Sequence, residues 1–125
     1  MNEAISYHHI IVGLDLSEDC PIVIRRAAGI AQACGAKLTL AHVLEPIAFA
    51  YGGDMPVDLS GVQEQLVQKA TIELAQLAKT TGYPIQQQHV LVGQPAAELH
   101  YLAEQEDADL IVVGSHGRKG FALLL

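Results

Sequence analysis

The sequence has no tryptophan, only two phenylalanines and four tyrosines. A core that lacks large aromatics has to be built from aliphatic side chains and alanine. Cysteine is equally scarce. Cys20 and Cys34 are the two in the chain, and their spacing matches neither a zinc site nor a redox motif. That excludes a disulfide framework and fits a reducing compartment. Positive charge is sparse too: seven Lys and Arg stand against fourteen Asp and Glu, for a net charge of -7. Nucleic acid and anionic membranes repel such a surface, so neither is expected as a partner. No apolar run approaches the roughly 18 residues that a membrane span needs. Met1 to His9 carries neither a basic n-region nor an apolar h-region, which argues against a secretory signal. The expectation is a soluble, cytoplasmic protein.

Aliphatic residues are abundant: half of the 125 residues are apolar. The length suits one domain, and a chain of this size can bury a core without metal or disulfide. Ile10 to Leu14, closed by Asp15, reads as a strand buried on both faces. Ser17 to Pro21 is a helix-start cluster, in which Ser17 or Asp19 can accept from open backbone N–H groups. Val23, Ile24, Ala27, Ala28, Ala31 and Cys34 then recur at helical spacing, and Gly35 ends the helix. Lys37 to Val43 is a second strand. The connection 44–60 contains Pro46, Pro56 and Gly52-Gly53, and reads either as a lid over a site or as a loop or dimer contact. Val62, Leu66, Ala70, Leu74 and Leu77 form another helical stripe, closed by Gly82 and Pro84. Ile85 to Val92 is a third strand whose glutamines suit a sheet edge. Pro95 opens a third helix with Leu99, Leu102 and Ala103 on its inner side. Leu110 to Val113 is a fourth strand running into Gly114, and a further helix start is expected after Gly120. Strands alternating with helices imply an α/β fold with a doubly wound, mostly parallel sheet. The apolar ending Phe121 to Leu125 has no cap and nothing after it to cover it, so the single domain 1–125 is expected to be truncated at its C-terminus.

In open parallel sheets, ligands bind beyond the carboxyl ends of the strands, where the strand order reverses. Two loops have equipment for this. Gly114-Ser115-His116-Gly117-Arg118-Lys119-Gly120 follows strand four. Its glycines let backbone N–H groups converge on an anion, Ser115 can donate a hydroxyl, and Arg118 and Lys119 can neutralise phosphate. The same residues also make a tight turn without a ligand. The loop is neither a Walker A sequence nor a dinucleotide fingerprint. The other loop carries Asp15, which can accept from a ribose hydroxyl, hold a nucleotide-bound Mg, or cap the next helix. The six histidines, His42 and His116 among them, show no metal-ligand spacing. His116 reads as a turn residue or phosphate neighbour, and Cys20 as a thiol near a helix start or a half-buried small residue. No nucleophile elbow is present, so no catalytic residue is assigned.

Several segments together resemble the universal stress protein family, and the likeness runs along the whole chain. They are Gly13-Leu14-Asp15-Leu16-Ser17, Leu40-Ala41-His42-Val43, Val92-Gly93-Gln94-Pro95 and, most specifically, Asp107 to Arg118. The resemblance implies a Rossmann-like sheet of order 3-2-1-4-5, with the fifth strand missing from this chain. It implies homodimers, commonly paired through that strand; the acidic surface and the 44–60 connection leave room for a protein partner of unknown kind. The family's nucleotide binders carry Gly-x-x-Gly, nine residues, then Gly followed by Ser or Thr. Gly114 and Gly117 match the first half, and the second half falls past Leu125. The implied site comprises Asp15 at the ribose and phosphates, backbone of Val43 at adenine, and Gly114, Ser115, His116, Gly117 and Arg118 at the phosphates. The implied ligand is ATP or AMP, with Mg where phosphates are present. The expected activity is nucleotide sensing in the stress response, with at most weak ATP hydrolysis or autophosphorylation. The alternatives are a dimeric interaction module of the same family that binds no nucleotide, or a slow ATPase.

Overall fold

A computed structural model describes residues 6–46, 60–114 and 121–124, the last by backbone pairing alone. β1 spans His9–Leu14, buried at every position. α1 follows at Cys20–Cys34, with Pro21 in its first turn, where the missing N–H is no loss. Asp19 is its N-cap residue but makes no side-chain capping bond. Ser17 instead accepts the Asp19 N–H at 3.4 Å. Gly35 ends the helix in the left-handed conformation, φ 69°, and the Ala36 N–H returns to the Ala31 carbonyl at 2.9 Å.

β2 is Lys37–Leu44, α2 is Ser60–Thr80 and β3 is Gln87–Val92. β3 begins two residues later than Ile85. α3 is Pro95–Gln105, with Leu99 and Leu102 turned inward, and β4 is Leu110–Gly114. The helical stripe expected on α2 is only half used. Ala70 and Leu74 are buried, whereas Val62 and Leu66 are 49% and 41% exposed. The 44–60 connection lies mostly outside the described residues.

The sheet order is β3-β2-β1-β4-β5, where β5 is Phe121–Leu124. β3, β2, β1 and β4 run parallel, in the order 3-2-1-4. The glutamine-led β3 is an edge strand, as its polarity suggested. One expectation fails at the other edge: residues 121–124 form a strand rather than a helix start. The parallel sheet itself stops at four strands, as expected, and β5 lies beside β4 in the opposite direction. β5 pairs antiparallel with β4, from Gly114↔Phe121 to Ile111↔Leu124. The reason is chain length. A parallel neighbour needs a crossover of about a dozen residues or more, and β4 and β5 are too close in sequence for one.

The sheet is packed on both faces. Ile10, Val12, Leu38, Leu40, Leu110 and Val112 meet α1 and α2 through Val23, Ile24, Ala27 and Leu74. Ile11, Ala41 and Ile111 meet α3 through Leu99 and Leu102. Alternation along each strand sends successive side chains to opposite layers. At the amino ends of the strands, the Asp109 carboxylate accepts the N–H of His8 (3.0 and 3.1 Å) and of His9 (3.1 Å). Partial burial pushes this carboxyl up, but the N–H groups of His9 and His8 and the His8 ring outweigh it and hold it below the ordinary carboxylate range. His9 is buried beside them. Its Nδ1 donates to the Glu106 carbonyl at 3.1 Å, which leaves Nε2 to accept from the Thr39 hydroxyl at 2.7 Å.

Candidate functional site

The strand order reverses between β1 and β4: the helix that follows β1, α1, packs on one face of the sheet, and the helix that precedes β4, α3, packs on the other. A crevice of about 190 Å³ opens there, walled by Asp15, His42, Val43, Pro95, Leu99 and Gly114 among others. The register sets the walls within one residue of a common height. Gly13 pairs with Val113, and Leu14 pairs with His42. Gly114 is therefore level with Leu14, and Val43 with Asp15. Three of the residues expected at the site, Asp15, Val43 and Gly114, meet at this crevice. Ser115, His116, Gly117 and Arg118 lie outside the described residues.

Asp15 is exposed at the end of β1. Its Oδ1 accepts the Ser17 N–H at 3.0 Å, and the Cys20 thiol lies 3.9 Å from the same oxygen. The carboxylate thus turns the chain two residues on, as an Asx turn, rather than capping the N–H groups of α1. Leu16, between the two, has φ 60°, a conformation that L-residues adopt at some cost. Asp15 also lines the crevice.

Cys20 is buried, 2% exposed. Burial, and after it the negative charge of Asp15, push its thiol above the ordinary range. Cys20 is thus a buried packing group beside Asp15, in surroundings that disfavour the thiolate. It borders a second cleft of about 280 Å³ with Leu16, Ser17 and Glu73. Among the described residues, no three His, Cys, Asp or Glu side chains gather as a metal site, and no helix is long and apolar enough to cross a membrane.

Two glycines bring the helices close to the strand ends. A Cβ on Gly114 would stand 2.8 Å from Val23 Cγ2, and one on Gly13 would stand 2.7 Å from Leu99 Cδ1. Glycine at 114 therefore has a packing reason as well as a ligand reason. The residue that sequence reasoning missed here is His42. It is buried, 9% exposed, and its Nδ1 donates to the Leu14 carbonyl at 2.6 Å. Its place next to Val43 on β2 was the available signal, but a strand partner cannot be read without the register.

Fold and crevice define an open α/β domain with a ligand-type cleft at its topological switch point. The sequence matches the model of the Universal stress protein family over residues 6–125. It is 38% identical over 120 residues to Universal stress protein A homolog 1 of Coxiella burnetii, covering 95% of this chain and 83% of that one. Among solved structures, a universal stress protein family member from Burkholderia pseudomallei superposes with a TM-score of 0.70 at 25% identity, covering 88% of this chain and 83% of that one. A universal stress protein in complex with cAMP superposes at 0.58 with 28% identity, covering 93% and 78%. The chain belongs to the universal stress protein family.

Proposed function

We propose that this protein binds an adenine nucleotide, ATP or AMP, in the crevice at the ends of β1 and β4, and responds to stress through that occupancy without fast turnover. The observation that carries this reading is the convergence of Asp15, Val43 and Gly114, within one residue of a common height, on the reversal point of the sheet. A carboxylate accepts hydroxyl protons or a Mg-bound water, so Asp15 suits the ribose and the metal-bearing phosphates. The backbone of Val43 suits the edge of a base. Gly114 leads into Ser115, His116, Gly117 and Arg118, whose donors and charge suit phosphate. A relative holding cAMP supports an adenine nucleotide as the ligand class. The remaining elements of the proposal are a cytoplasmic homodimer and at most slow hydrolysis or autophosphorylation.

Ligand released by denaturing the purified protein, identified by mass spectrometry, together with titration calorimetry against ATP and AMP with and without Mg, tests the reading. Asp15→Asn is expected to weaken binding about 10- to 100-fold, as for loss of a hydrogen bond to a charged group. No co-purified nucleotide and no heat with either ligand would remove the proposal.

A further inference from the structure

We propose that His42 is a positioning residue for Asp15, acting through the Leu14 carbonyl. This rests on the nucleotide reading only for its effect on affinity, not for its structural content.

A carbonyl oxygen only accepts, so the 2.6 Å bond to Leu14 requires the proton on Nδ1 of His42. The Leu14 oxygen belongs to the peptide plane that also contains the nitrogen and Cα of Asp15. Holding that oxygen from β2 sets the direction in which Asp15 leaves the sheet. The bond lies beyond the last β1–β4 pair, Gly13↔Val113, where the ladder no longer fixes both sides of β1. On the far side of Asp15, the chain is held by the Ser17 N–H on Oδ1 at 3.0 Å. Asp15 is therefore held from both ends, once by its own turn and once, at the preceding carbonyl, by an imidazole 28 residues from Leu14. That imidazole is buried, so the bond is shielded from competing water. Leu16 at φ 60° gives the turn a reason to relax if either hold is lost.

The test begins without ligand. Amide exchange by NMR on His42→Ala is expected to show Ser17 exchanging about fivefold faster or more, as for loss of one hydrogen bond. Val12 and Leu40, in the strand interior, report any general loosening. His42→Asn retains a donor at the Nδ1 position and is expected to restore Ser17 protection. His42→Gln, whose donor sits farther out, is expected not to. Unchanged Ser17 exchange in His42→Ala overturns the inference. If His42→Ala loosens Val12 and Leu40 alike, the Asn and Gln variants decide, and equal Ser17 exchange in those two overturns it. Calorimetry with ATP adds a second reading. His42→Ala is expected to weaken binding about fivefold in the wild-type background and not at all in Asp15→Asn, since its effect passes through that carboxylate. Equal losses in both backgrounds overturn the inference. A wild type that binds no ATP removes the nucleotide reading and leaves the Ser17 result standing.

Discussion

Gly114→Ala separates packing from ligand binding at the end of β4. The added Cβ would lie 2.8 Å from Val23 Cγ2, whereas apolar carbons rest about 3.5–4.0 Å apart. The shortfall is roughly an ångström, and little can yield. Val23 is buried on α1, 5% exposed, and a helical valine is confined to essentially one χ1 rotamer. Either the helix or the strand end has to move, and overpacking of this kind destabilises by about 1–3 kcal/mol. For a domain of this size, about 2 kcal/mol corresponds to a Tm lowered by roughly 6–10 °C. Urea unfolding measures the change directly. Val23→Ala alone removes two methyl groups from the same place and is expected to cost about 2 kcal/mol. In the double variant, the methyl introduced at position 114 occupies the space the valine vacated. The combined loss is then at least about 1 kcal/mol smaller than the sum of the two singles, well outside the ~0.5 kcal/mol of independent sites. Additive losses, or a Gly114→Ala protein as stable as wild type, would refute the packing argument and leave ligand contact as the sole reason for glycine here.

Gly29 provides the opposite case: it lies inside α1 with nothing within 4 Å of an added Cβ. Gly29→Ala is expected to raise stability by about 0.5–1 kcal/mol, measured by the same urea titration. Asp109 links stability to pH. Its carboxyl is held below the ordinary range in the folded chain, so its contribution is present above the unfolded carboxyl value, about 3.9, and is lost as pH falls through the lower folded value. Asp109→Asn is therefore expected to be less stable than wild type at neutral pH, with the gap closing in urea titrations taken progressively below about pH 4. A gap that stays constant from neutral pH down through that range would show that the charge is not what His8 and His9 hold.

Much of the architecture was legible because strong local signals agreed with the global arrangement. Ile10 to Leu14 and Leu110 to Val113 are short aliphatic runs that only a strand buried on both faces explains. Pro21, Gly35 and Pro95 mark helix ends by mechanisms that act within a few residues. Asp15, Val43 and Gly114 could be named because each ends or nearly ends a strand, and family likeness supplied their neighbourhood. Contacts between distant segments were not legible. Nothing local in Phe121 to Leu124 distinguishes a helix start from a strand, because its fate depends on the free edge of β4 and on the length of chain before it. His42 looked like any other histidine until the pairing Leu14↔His42 brought its ring to the Leu14 carbonyl. The exposed Val62 and Leu66 follow perfect helical spacing, but periodicity does not say where the covering sheet stops.

The place of β1 at the centre of the sheet has a consequence for how the protein is made. β1 leaves the ribosome well before one of its two neighbours, β4, which lies far downstream and pairs Leu110 with Ile10. The first two strands and α1 can associate early, but they then expose an aliphatic strand edge that only residues 110–113 can close. Such long-range pairing is slow, and chains waiting for it are vulnerable to association with one another. The crevice is formed by the same late event, because two of its walls, Val113 and Gly114, arrive with β4. A nascent chain therefore has no site until its core is nearly complete, and a ligand held there can stabilise only a domain that has already been assembled.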